Sequence, residues 1–162
     1  MRDEVFELSV VLPVSAARAF AWHEDPGALA RLTPPWEHVR VESVSDGIRT
    51  GSQVVLRARV GPLWTTWKME HYGYVAGREF NDRMLRGPFA LWEHRHSFKD
   101  LGEGKSLLTD TIRYRLPMGF LGRLFAGGFT RHKLAKMFAY RHAVTREALL
   151  KPTVGSYSTT PM

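Results

Sequence analysis

From residue 39 to residue 117 apolar and polar positions alternate with a period of two, in runs closed by Asp46-Gly47, Gly61-Pro62, Ala76-Gly77, Gly87-Pro88 and Gly102-Glu103-Gly104. Such runs read as antiparallel strands joined by hairpins, because successive side chains on a strand face opposite ways and Gly, Asp and Pro supply the tight connections. The pattern predicts strands over 39–45, 52–60, 63–75, 79–86, 91–98 and 106–116, with a seventh over 5–12.

Helical periodicity takes over elsewhere. Ser15 stands as an N-cap before Ala16, Ala17, Ala19, Phe20 and Trp22, predicting a short helix that stops near Pro26. A second short helical stretch, 27–32, ends at Thr33-Pro34-Pro35, since a residue before proline avoids the helical region. Residues 129–150 hold no Gly or Pro and carry apolar side chains at 134, 137, 138, 144 and 148, the pattern of an amphipathic helix of five to six turns. The glycine and aromatic segment 118–129 reads as a tight loop with a short helix packed on the core. Its alternative is a greasy gate over a pocket, or a surface that transiently touches an acidic membrane through Arg123, Arg131, Lys133 and Lys136. Residues 151–162, rich in Ser, Thr and Pro, read as a flexible tail, leaving 1–150 as one domain.

A strand, two short helices, six hairpin-linked strands and one late long helix leave that helix to cover the concave apolar face of the sheet. The fold class expected is α+β, a helix-grip fold with a curved antiparallel sheet of six to seven strands around a long C-terminal helix. This order over about residues 5–150 resembles the START-like, Bet v 1-like (SRPBCC) superfamily. Phe80-Asn81-Asp82, Gly87-Pro88-Phe89, the run from Trp92 to Phe98, Asp110 and Tyr114-Arg115-Leu116-Pro117 look like its bacterial cyclase/dehydrase-like branch. The resemblance implies a cavity between sheet and C-terminal helix that takes lipids, polyketides or hormones. It implies no shared catalytic set, so no catalytic residue is carried over.

Strand alternation sorts the candidate residues. Trp92, His94, His96 and Phe98 share the face that must be the core; Asp110 enters the interior with Ile112 and Tyr114 on the next strand. Phe80, Asp82 and Met84 share a face on the preceding strand, as do Trp67, Met69 and His71 on the one before. Arg141 follows Leu134 by seven, Met137 by four and Phe138 by three, which places a guanidinium on the inward stripe of the last helix.

Three readings of this cluster stand side by side. It is a satisfied polar network, with Arg141 paired to Asp110 or Asp82. It is a set of polar fixtures orienting a ligand among walls made by Trp67, Met69, Phe80, Met84, Trp92, Phe98, Ile112, Tyr114 and Phe138. Or it is acid–base chemistry of cyclase/dehydratase type through His94, His96 and Asp110, or a metal site on His94 and His96 with a third ligand. Binding or carriage of a small apolar molecule is the leading expectation and enzymatic turnover the alternative, with no cofactor and no stoichiometric transition metal expected.

Composition narrows the field. The 162 residues suffice for one core without disulfides, and the lack of cysteine removes thiolate chemistry and Cys-based metal sites. The N-terminal residues lack the layout of a secretory signal, so a cytoplasmic protein is expected. A formal charge of +7 favours anionic partners, but Arg57, Arg59, Arg113 and Arg115 read as solvated strand faces with no nucleic-acid recognition motif. Gly102 to Ser106 imitates a phosphate loop without its first glycine or its following helix, and neither a Gly-x-Ser-x-Gly elbow nor His-Glu-x-x-His occurs.

Overall fold

The computed structural model describes residues 3–151, and within the last helix the side chains of 119–123 and 125 are not among the described ones. The expected tail, 152–162, lies outside the described residues. Along the chain come β1 (Glu4–Leu12), α1 (Ala16–Glu24), α2 (Ala28–Arg31), β2 (Val39–Val44), β3 (Gln53–Val60), β4 (Leu63–Val75), β5 (Glu79–Arg86), β6 (Leu91–Gly102), β7 (Lys105–Arg115) and α3 (Gly119–Leu150).

Six hairpin-linked strands form a meander, and β1 closes its far edge by pairing with β7, giving the order β1-β7-β6-β5-β4-β3-β2. Every pairing is antiparallel. This is the helix-grip architecture that the element order predicts. Its register matters for the site. His71 pairs with Asp82, Asp82 with His94 and His94 with Ile112, while Phe80 pairs with His96 and His96 with Asp110. Directly opposed residues share a face, so two adjacent cross-strand rows bring the histidines and aspartates together.

Apolar residues on the inner face form two clusters. One packs Leu12, Phe20, Phe80, Phe98 and Leu108 with Leu149 of α3, and the other packs Phe6, Met69, Trp92, Ile112 and Tyr114 under Leu134 and Phe138 of α3. Each fully buried side chain of this size contributes roughly 1.5–3 kcal/mol. The start of α1 is tied to the sheet by Asp100, whose Oδ1 accepts the Ala16 amide at 2.8 Å.

The last helix differs from expectation at its start. It begins at Gly119 rather than near Phe129 and runs through Gly122, Gly127 and Gly128, following Met118 in a left-handed conformation with φ 62°. Residues 119–129 are therefore the front of α3 rather than a loop followed by a short helix. Each glycine costs about 1 kcal/mol against alanine in a helix interior, which weakens a helix without forbidding one. Buried positions along α3 fall at Leu134, Phe138, His142, Thr145 and Leu149, spacings of three and four that trace one inward stripe.

Candidate functional site

Between the concave sheet and the helices lies a cavity of about 680 Å³. Its walls are apolar over most of their extent: Val54, Leu56, Trp67, Met69 and Trp92 from the sheet, Leu29 and Leu32 from the α2 region, Leu134 and Met137 from α3. Val60, Gly61 and Phe89 from two hairpin turns and Met118 and Phe129 from the front of α3 complete the lining. Met118 and Phe129 are 77% and 67% exposed, which puts them at the mouth.

One part of the wall carries a cluster of histidines and aspartates. The His94 ring stands between two carboxylates, Nδ1 facing Asp82 Oδ2 at 3.1 Å and Nε2 donating to Asp110 Oδ1 at 2.9 Å. An imidazole that faces acceptors from both nitrogens matches them only as imidazolium, with a proton on each. Burial pulls the His94 pKa down, but Asp82 and Asp110 outweigh it and push it up to about 9. The carboxylates gain in turn. Against the upward push of burial, His94 and His96 hold Asp82 below the usual carboxylate range, and His96, His142 and His94 hold Asp110 well below it.

Asp110 is the hub. Its Oδ1 also meets His96 Nδ1 at 2.7 Å, and its Oδ2 accepts from His142 Nε2 at 2.6 Å. The second of these contacts ties α3 to the sheet. His96 lies at 3.5 Å from Asp82 through its other nitrogen and stacks on Phe80 with ring centroids 4.1 Å apart. Asp82, His94 and His96 each offer a ligand atom within 4.8 Å of the others, close enough for one metal ion. As arranged, those atoms face one another as an ion-pair network.

The structure brings together on the cavity wall Trp67, Met69, His71, Phe80, Asp82, Trp92, His94, His96 and Arg141. Met84, Phe98, Ile112, Tyr114 and Phe138 lie in the packed clusters behind the lining, and Asp110 sits beneath the histidines. His71 faces Asp82 across the sheet, yet its Nδ1 is buried without a hydrogen-bond partner and burial lowers its pKa.

Arg141 requires a correction. It is turned inward, but it pairs with neither Asp110 nor Asp82: its Nε donates to the Leu32 carbonyl at 3.2 Å and its guanidinium lies 5.1 Å from the Phe138 ring centre. Asp110 already holds three histidines, which leaves no room for a guanidinium. The helix residue that reaches Asp110 is His142, which the sequence reading passed over. The signal was its place four residues after Phe138 and eight after Leu134, masked by Arg141 beside it, which fits the same stripe at three, four and seven. His23 was missed because only apolar residues were counted along α1. It follows Ala16 by seven and Ala19 by four on α1, lines the cavity, donates from Nδ1 to the Ala19 carbonyl at 2.8 Å, and is lowered to about 4 by burial.

The family profile described as polyketide cyclase / dehydrase and lipid transport matches residues 4–146. Among curated proteins none matches. A nucleoside-diphosphate sugar epimerase from Corynebacterium glutamicum superposes with a TM-score of 0.68 at 28% identity, over 89% of this chain but only 29% of that one. The chain thus spans under a third of that protein's length. Norcoclaurine synthase from Thalictrum flavum, in a complex with dopamine and hydroxybenzaldehyde, aligns at TM-score 0.69 and 16% identity over 94% of this chain and 90% of that one. A START superfamily protein from Mycobacterium smegmatis gives 0.66 and 14% over 90% and 96%. At 14–16% identity the last two show a shared fold alone.

Proposed function

We propose, from the premise that this chain belongs to the polyketide cyclase/dehydrase and lipid transport family, that it binds or carries one small, largely apolar molecule in the cavity between sheet and α3. The family supports a ligand-binding or cyclase-type role. The observation favouring binding is the cavity itself: about 680 Å³, in the range of small-molecule sites, with mostly apolar walls interrupted by a limited set of polar groups. A ligand would lay its apolar body along Leu56, Trp67, Met69 and Met137 and turn polar atoms toward Asp82, His96 and Arg141. Exposed Met118 and Phe129 at the mouth, with Arg131 and Lys133 nearby, support a transient contact with an acidic membrane surface during loading. Among the described residues no helix is long and apolar enough to cross a membrane.

Titration with an environment-sensitive apolar fluorophore tests this reading. Saturable one-to-one binding is expected, and Leu56→Trp, which fills the cavity from a half-buried wall position, is expected to abolish it. Binding that survives the filled cavity contradicts the proposal.

A second reading, acid–base catalysis of cyclase/dehydratase type, is favoured by the His94 imidazolium between two carboxylates beside the cavity. Both His94 nitrogens face carboxylates within 3.1 Å whereas His96 Nε2 lies 3.5 Å from Asp82, so that nitrogen would exchange a proton with the ligand while Asp110 and Asp82 hold the charge of the ring. Incubation with β-hydroxy polyketide-like thioester mimics, followed by mass spectrometry, separates the readings. A product lighter by one water, lost in His96→Gln, supports catalysis, and unchanged ligand supports carriage.

A further inference from the structure

We infer that the ligand carries a carboxylate, and that Arg141 is its anchor. This deepens the cavity-binding reading and rests on it. Four carboxylates line the cavity, and each is already engaged: Glu24 accepts from the Tyr74 hydroxyl at 2.6 Å, Asp25 pairs with Arg31 at 2.9 Å, Glu37 with Lys133 at 3.1 Å, and Asp82 with His94 at 3.1 Å. Asp110, beneath them, holds three histidines. All 16 Asp and Glu residues of the chain lie among the described residues, and none of them pairs with Arg141.

The guanidinium is nevertheless held in place. Its Nε is spent on the Leu32 carbonyl, which closes the C-terminal end of α2, and the Phe138 ring lies under its plane. The two terminal nitrogens have no acceptor among the described residues, and Arg141 lines the cavity. Arginine stays protonated even when half-buried, so its charge is not shed. A fixed fork with free N–H groups at the edge of an apolar cavity fits a planar two-oxygen anion through paired hydrogen bonds. Leu29, Leu134 and Met137 line the same cavity, whose walls are apolar over most of their extent, so the rest of the molecule is apolar. The class is an apolar monocarboxylic acid, whether a fatty or an aromatic acid.

The test compares lauric acid with dodecanol, identical in chain and different only in the head, at pH 8 by isothermal titration and by Trp67/Trp92 fluorescence. In the wild type the acid is expected to bind about tenfold or more tightly than the alcohol, the scale of a charge-assisted hydrogen bond in a sheltered site. Arg141→Gln is expected to bring the ratio of the two affinities to about one, and Arg141→Lys to keep part of the preference. Arg95→Gln, on the outer face and paired with Glu79, is expected to keep all of it. Dodecyl phosphate, run alongside, separates a carboxylate site from a general anion site. Alcohol binding as tight as acid in the wild type, phosphate binding tighter than acid, or a preference that survives Arg141→Gln overturns the inference while leaving the cavity reading standing. Failure of both laurate and dodecanol to bind overturns the cavity reading itself.

Discussion

Replacing Asp110 by asparagine keeps the shape of the side chain and removes the charge on which three imidazoles converge. The loss can be sized from the contacts. His94 and His142 donate hydrogen bonds to it at 2.9 and 2.6 Å, His96 meets it at 2.7 Å, and the residue is only 3% exposed. Breaking a buried charge pair from one side costs roughly 3–5 kcal/mol, because the remaining partner keeps its desolvation penalty. For a chain of this size each kcal/mol lowers Tm by about 2–4 °C, so the variant should melt on the order of 10 °C lower. Urea unfolding at pH 7 reads the free energy directly. Since His142 carries the link to α3, a cycle with His142→Phe should show coupling of about 1 kcal/mol or more. Arg141→Leu, which breaks no ion pair, is expected to cost less than about 1.5 kcal/mol, a single hydrogen bond to a carbonyl. A loss below about 1 kcal/mol for Asp110→Asn, or additive losses throughout the cycle, would refute the network as a structural clamp.

Stability should also depend on pH in a defined sense. His94 titrates near 6.5 when unfolded and at about 9 when folded, so its contribution of roughly 3 kcal/mol is complete below pH 6.5 and lost as pH rises through 9. On the acid side His23, lowered to about 4, favours the fold above pH 6.5 and loses that effect as pH falls to 4, and Asp82 and Asp110 act likewise below about pH 4. Nitrogen-15 chemical shifts should find both His94 nitrogens protonated at pH 7.5; a ring that titrates near 6.5 contradicts this. Elemental analysis of the purified protein should find no stoichiometric transition metal, whereas one zinc or iron per chain would reassign Asp82, His94 and His96 as ligands.

Most of the fold was legible because period-two alternation and Gly/Pro/Asp turns act locally: the strand edges at Leu63, Val75, Glu79, Arg86 and Leu91 coincide with those read from the pattern. The front of α3 was not legible, since four glycines carry a local signal against a helix. Part of the site followed from alternation alone, which turned His71, Asp82, His94, His96 and Asp110 to one face. Pairing was a different matter. Arg141 and His142 are neighbours on one helix face, and only the lateral position of α3 over β7 decides which of them reaches Asp110. Likewise, alternation separates inward from outward but does not separate a cavity wall such as Trp67 from a core residue such as Phe98, because that depends on where the helices fail to fill the sheet's concavity.

The central claim, that the space under α3 holds a small molecule, is tested most directly by native mass spectrometry of the purified protein with solvent extraction of the same sample. A bound species of roughly a few hundred daltons, the size a cavity of about 680 Å³ admits, is predicted in the wild type and absent from Leu56→Trp. A wild-type chain that carries nothing and takes up nothing from a mixture of apolar acids, alcohols and polyketide-like compounds would contradict it.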